Sequence, residues 1–259
     1  GRFAPRRMSK DPAEKVPGRL VRTLKAGILG SSVASSYLGG KILDRLRGEQ
    51  SRAEAELFRH VQNAKRIADT MKLAIVSIED KRFAEHNGVD LQGTLTGLAG
   101  YLQGAVDTRG GSTIEQQYVK NYNLLVNAQT DAERKAAVET TPARKLREIR
   151  MALALDKVLT KPEILTRYLN LVSFGNGAYG VQDAARTYFG IDAAQLNWQQ
   201  AALLAGMVQS TSALDPYTNP KGALARRNLV LDTMIQNVPD RAAELEAART
   251  TPLGVLPQP

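Results

Sequence analysis

Apolar residues recur at helical spacing along most of this chain and never alternate for long. Over 49–71 (EQSRAEAELFRHVQNAKRIADTM), Leu57, Val61, Ala64, Ala68 and Met71 fall three or four apart, which predicts one helix face. His60 lies beside that stripe and reads as structural. An apolar run from Leu73 to Ile78 follows and ends on two acids, Glu79 and Asp80. Asp90 can cap a helix over 91–103, Gly110-Gly111 breaks the chain, and Ser112 is the expected N-cap of a helix from Thr113 to Leu125. Residues 126–141 read as an exposed, charged connection with a short helical piece. Thr141-Pro142 opens a helix to Val158, with proline at its first position and Leu146, Ile149 and Leu153 as the expected apolar stripe. Thr160-Lys-Pro-Glu163 is a capping-box pattern for a helix to Leu171. After a glycine-rich turn at 174–180, helices are expected over 181–188, 198–208, 221–236 and 240–248. With no strand pattern and no internal repeat, the fold class is mainly α.

Composition narrows this picture. A chain of 259 residues suits one large domain or a domain with extensions. No cysteine is present, which excludes disulfides and cysteine metal sites, and two histidines, His60 and His86, are a poor basis for a histidine site. Eight basic side chains lie in residues 1–25 against Asp11 and Glu14, so most of the +9 net charge sits at the N-terminus. The rest is only mildly basic, and no RNA-binding aromatic signature accompanies it, so no nucleic-acid partner is expected. The uncharged stretch 26–40 (AGILGSSVASSYLGG) is shorter than the roughly 20 apolar residues of a spanning helix. It reads as membrane-associated, either spanning or lying in the interface with its basic neighbours against anionic headgroups. The chain thus divides into a basic segment 1–48, a helical lead-in 49–71, a main domain 72–236 and a tail 237–259.

Two polar clusters carry the candidate chemistry. The first, Glu79-Asp80-Lys-Arg-Phe83 with His86, Gly88 and Asp90, follows the apolar run. Burial there would raise the Glu79 carboxyl toward the range of a general base, with Asp80 adding repulsion and Lys81 and Arg82 opposing it. Taken alone, Glu79 reads first as a salt-bridged acid at a helix end. The second cluster, Gly111-Ser112-Thr113 with Gln116, Gln117, Lys120 and Asn121, is a helix start where free amides and hydroxyls could hold phosphate and Lys120 could neutralise it. No GxxxxGK[ST] pattern is present, which argues against a P-loop. A second acid, Glu148, lies near Arg144 and Lys145 on the face away from Leu146 and Ile149. Alone it reads as a solvated ion pair. Beside Glu79 it would make the pair of carboxylates that glycosyl chemistry uses.

Taken in order, these motifs resemble the peptidoglycan glycosyltransferase domain of family 51, found in class A penicillin-binding proteins and monofunctional transglycosylases. Glu79-Asp80-Lys-Arg-Phe83-Ala-Glu-His86-Asn-Gly88-Val-Asp90 is similar to its EDxxFxxHxGxD motif. Gly110-Gly-Ser-Thr-Ile-Glu-Gln-Gln117-Tyr-Val-Lys120-Asn121 is similar to GGSTITQQxxKN, and Arg144-Lys145-x-x-Glu148 to the third motif. Tyr168-Leu-Asn170, Phe174–Gly180, Tyr188-Phe-Gly190, Ala201–Gly206 and Arg227–Met234 follow in the expected order. The resemblance implies a lysozyme-like, two-lobed helical fold with a small lobe beside the membrane, on the outer face of the bacterial plasma membrane. It implies lipid II and the growing glycan strand as substrates and the membrane lipid surface as a partner. Glu79 would be the general base and Glu148 its helper. Asp80, Phe83, His86, Ser112, Thr113, Gln116, Gln117, Lys120, Asn121, Arg144 and Lys145 would bind substrate. A divalent cation, Mg or Mn, is an expectation of the same kind, and no organic cofactor is expected.

The chain departs from the family pattern in places. Glu115 stands where the second motif usually has Thr, and Asp156 where Glu is common. The connection from Asn121 to Arg144 is longer than usual and leaves Arg134 as the candidate for a loop arginine. Two other readings stay open at this point: a binding module for lipid-linked substrate without turnover, and a lysozyme-like hydrolase of finished glycan.

Overall fold

A computed structural model describes residues 67–93, 111–139 and 141–258. Among these residues there is no strand, only a single antiparallel bridge between Ser173 and Tyr179 that closes the glycine-rich turn. The helices are α1 Asp69–Glu79, α2 Ile114–Tyr122, α3 Asp131–Val138, α4 Pro142–Val158 and α5 Lys161–Leu169. They continue with α6 Val181–Phe189, α7 Trp198–Met207, α8 Pro220–Asn237 and α9 Ala242–Arg249. A π-helical stretch, Asn123–Asn127, extends α2, and one 3₁₀ turn, Pro239–Arg241, leads into α9. The stripe residues Leu57, Val61 and Ala64, His60, the stretch 26–40 and most of the helix expected over 91–103 lie outside the described residues.

The core forms around α7. Every residue from Ala201 to Met207 is buried, all round the helix, as expected of an element enclosed by others. It packs against α1, α6, α8 and α9. A second grouping sets α2 against α4 and α5. The apolar run after residue 72 is part of α1, whose Met71, Ala74 and Ile75 are fully buried. That helix therefore begins inside the lead-in and ends on Glu79, delivering the acid from a core element. Among the described residues no helix is long and apolar enough to cross a membrane.

Most helix ends obey local capping chemistry. Thr141 accepts from the Arg144 N–H, and Thr160 with Glu163 forms the capping box expected of them, although α5 ends at Leu169 rather than Leu171. Two expectations are corrected. The cap of α2 is Thr113, not Ser112: the Thr113 hydroxyl accepts from the Gln116 N–H and donates to the Gly88 carbonyl at 2.7 Å. On α4 the buried residues are Glu148, Ala152 and Leu155, while Leu146 and Leu153 are 50% and 40% exposed. The inward face of α4 is thus the one carrying the acid.

Candidate active site

Glu79 leaves α1 at its C-terminal end, where the helix dipole disfavours negative charge. Desolvation raises its carboxyl pKa above 4.5, and Asp80 pushes the same way. Against this act a hydrogen bond from Gln117 and the charges of Arg226 and Lys120. The cations that temper Glu79 are therefore not the neighbours Lys81 and Arg82. Lys81 is exposed, and Arg82 pairs with Asp90 at 2.6 Å. Gln117 Nε2 donates to Glu79 Oε2 at 2.8 Å, and the buried Tyr168 hydroxyl donates to Gln117 Oε1 at 2.8 Å.

Asp80 holds the first motif to the second. Its Oδ2 accepts from the Ile114 N–H at 3.0 Å, and His86 Nε2 lies 2.9 Å from both its oxygens. The anion at the N-terminus of α2 is thus the chain's own Asp80, and the Gln116 N–H is taken by Thr113. This corrects the expectation of free amides waiting there for phosphate. Gly88 fastens the same loop to α4: at φ +87° a Cβ would stand 2.6 Å from the Ala152 carbonyl oxygen, so only glycine fits. Asp90 caps the next helical turn through the Gly93 N–H at 2.9 Å.

Lys161, at the start of α5, joins three segments. Its ammonium lies 2.6 Å from Glu115 Oε1, 2.8 Å from Asp156 Oδ1, 3.5 Å from His86 Nδ1 and 4.8 Å from the centre of the Phe83 ring. Asp80, His86 and Glu115 each offer a ligand atom, all within 4.8 Å of one another, the arrangement of a metal site. Here the lysine ammonium already supplies the positive charge, and the trio does not suit a resident cation.

Across α2 lies a group of cations. Lys145 donates to Ser112 Oγ at 2.6 Å and to Gln116 Oε1 at 3.0 Å. Arg144 is ion-paired with the buried Glu148, and Lys145 lies 3.9 Å from the same carboxylate. Burial, together with the charges of Arg144 and Lys120, lowers the Lys145 pKa, while Glu148 raises it. A site that crowds cations in this way favours an incoming anion. A divalent cation on Glu148 would compete with Arg144, so that carboxylate does not fit one. Asn121 turns its amide to the Gln117 carbonyl at 2.9 Å and steadies α2 from within. Arg134 is paired with Asp131 on the exposed surface of α3.

The structure joins Glu79 to Gln117, and Lys145 to Ser112, Gln116 and the Arg144–Glu148 pair, and the charge of Lys120 acts on both Glu79 and Lys145. Three contributors were not singled out from the sequence as site residues. Tyr168 was visible only within the Tyr-Leu-Asn segment, and Lys161 only within its capping-box pattern. Arg226 comes from α8, far away in sequence, and no local pattern reports its field on Glu79.

A family model described as transglycosylase matches residues 45–235. Penicillin-binding protein 1A of Streptococcus oralis is 41% identical over 180 residues, which is 70% of this chain and 27% of that protein. Penicillin-binding protein 1A of Escherichia coli is 35% identical over 190 residues, covering 71% of this chain and 21% of its own length. A Cupriavidus necator protein that carries a provisional transglycosylase name is 36% identical over 70% of this chain and 72% of its own. The chain spans about a quarter of the penicillin-binding proteins it matches first. With a match over most of its length and motifs in the family's order, the chain belongs to the transglycosylase family.

Proposed function

We propose that the chain is a peptidoglycan glycosyltransferase that polymerises lipid II into glycan strands. The observation that carries this reading is a desolvated Glu79 carboxyl in the field of Lys120, whose charge also acts on the cation group at Lys145. A general base and a receptor for a charged leaving group thus belong to one site, a combination that suits a phosphate-linked sugar donor better than hydrolysis of neutral glycan.

In the proposed reaction Glu79 takes the proton from the 4-hydroxyl of the acceptor N-acetylglucosamine. The freed oxygen pair forms a bond to C1 of the donor N-acetylmuramic acid from the face opposite the leaving group. The C1–O bond to pyrophosphate breaks with inversion, and its electrons leave on undecaprenyl pyrophosphate. Lys120, with Arg144 or Lys145, stabilises that anion, while Glu148 orients Arg144. A divalent ion, Mg or Mn, is proposed to arrive with the pyrophosphate rather than to reside on Glu148. A lipid-linked donor would bring the site to a membrane surface, and the proposed location is the outer face of the bacterial plasma membrane, with the proposed small lobe beside it. The exposed Leu146 and Leu153, interleaved with exposed Arg147 and Arg150 on α4, support an interfacial surface.

The test is incubation with labelled lipid II, with and without divalent cation, read by product size, with finished glycan in parallel. Polymer from lipid II is the expected result. Shortening of finished glycan would show a hydrolase, and retention of lipid II without polymer would show a binding module.

A further inference from the structure

Tyr168 sits at the end of α5 with no exposed surface, among the largest fully buried side chains of the protein. A phenol buried this deeply needs a hydrogen-bond partner, and its hydroxyl has one in Gln117 Oε1 at 2.8 Å. The other end of that amide faces Glu79, with Nε2 donating to Oε2 at 2.8 Å. The direction of every bond in this row is forced. An ionised carboxylate only accepts, so Gln117 must turn its NH2 toward Glu79. Its carbonyl then faces Tyr168, which must donate.

We propose that Tyr168 is a positioning residue for the glycosyl transfer: its hydroxyl anchors the oxygen end of the Gln117 amide and thereby holds the Glu79 carboxylate in place for proton abstraction. The inference rests on the reading of Glu79 as the general base. Without the hydroxyl, Gln117 Oε1 would lose its donor, and the amide would be held only through its NH2, by Glu79 and more weakly by the Ser112 carbonyl at 3.4 Å. A side chain tethered at one end swings more freely, so Gln117 would become a poorer holder of the base although every group that meets substrate remained in place. The direction of influence on Glu79 is also set, because the Gln117 hydrogen bond favours the ionised carboxylate. Loosening that bond moves the Glu79 titration to higher pH.

The same row explains a division of labour between α1, α2 and α5. Glu79 belongs to α1, Gln117 to α2 and Tyr168 to α5, so the hydroxyl and the amide lock three helices at the reacting carboxylate. Asn121 steadies the Gln117 backbone carbonyl one turn further on, while Tyr168 is the donor to the side-chain amide oxygen.

The experiment compares wild type, Tyr168→Phe, Gln117→Ala and the double variant. Each is assayed for lipid II polymerisation across pH and for titration of the Glu79 carboxyl by NMR on selectively labelled protein. Tyr168→Phe keeps the ring and the packing. It is expected to lower kcat on the order of tenfold at neutral pH with KM unchanged. The acid limb of the rate profile and the Glu79 titration should both move to higher pH. In the Gln117→Ala background the added Tyr168→Phe change should have little further effect, because the link it acts through is gone. Equal pH profiles and equal Glu79 titration in wild type and Tyr168→Phe would overturn the inference, as would an undiminished Tyr168→Phe effect without Gln117. Failure of the underlying reading looks different: wild type itself would give no polymer. The titration of Glu79 still decides the hydrogen-bond row in that case.

Discussion

Glu115 is wholly buried, with one carboxylate oxygen on Lys161 and the other, Oε2, without a hydrogen-bond partner. Like Glu79 it is raised above 4.5 by desolvation, with Lys161 pulling the other way. The two acids differ in access: Glu79 is half-buried, whereas Glu115 is sealed in. On the proposed function, burial tunes the first for chemistry, while the second is a charge the fold must carry. Because the folded-state pKa of Glu115 lies above its unfolded value, the folded protein holds the proton more tightly. Stability is then lost as pH rises through the interval above 4.5. Glu115→Gln, which cannot ionise, should lose less stability over that interval than wild type. Chemical unfolding from pH 4 to pH 7 checks this, and parallel curves for the two proteins would contradict it. At Glu79 the same direction of shift predicts activity that rises with pH to a midpoint above 4.5.

At the scale of elements, helix α4 shows best how the site is built. Its inward face holds Glu148 and the small Ala152, which lets the Gly88 loop approach the backbone. Gly88→Ala would drive a Cβ into the Ala152 carbonyl at an unfavourable φ, costing about 1–3 kcal/mol. It should lower Tm and, by shifting the loop that carries Asp80 and His86, reduce activity further than the lost stability explains. Thermal unfolding and polymerisation rate measured below Tm separate the two effects. Local sequence was enough for much of this layer. Thr141-Pro142 and Thr160-Lys-Pro-Glu163 carry their caps within one turn, and both helices start where those residues place them. The face of α4 is not legible, because its apolar spacing points to Leu146, Ile149 and Leu153 while the buried residues are Glu148, Ala152 and Leu155. Glu148 could be buried only through its pairing with Arg144 and Lys145, and Leu146 and Leu153 remained outside. The cap of α2 was misplaced for a related reason. Thr113 is held by the Gly88 carbonyl, 25 positions away, and local capping preference does not report such a bond.

Over the whole molecule, the distant parts are joined by polar groups whose partners no local pattern reports. Arg227 on α8 is completely buried and donates to the carbonyls of Arg249, Thr251 and Pro252, tying the end of α9 and the following segment to the core. Arg227→Met keeps the bulk but strands those carbonyls, and a loss on the order of 3 kcal/mol is expected. Denaturant unfolding would show it, and limited proteolysis should cut first near residues 250–258. The same helix contributes Arg226 to the field at Glu79, so a core helix and the Glu79 carboxylate are electrostatically coupled. Family membership was legible because the motifs occur in order, whereas the Lys161 and Arg226 contributions required the fold. The central claim is that Glu79 is the base of a glycan-polymerising site, and Glu79→Gln tests it most directly. With labelled lipid II and analysis by product length, wild type should make polymer. Glu79→Gln should make none while keeping its helical circular dichroism, and polymer at the wild-type rate from that folded variant would contradict the account.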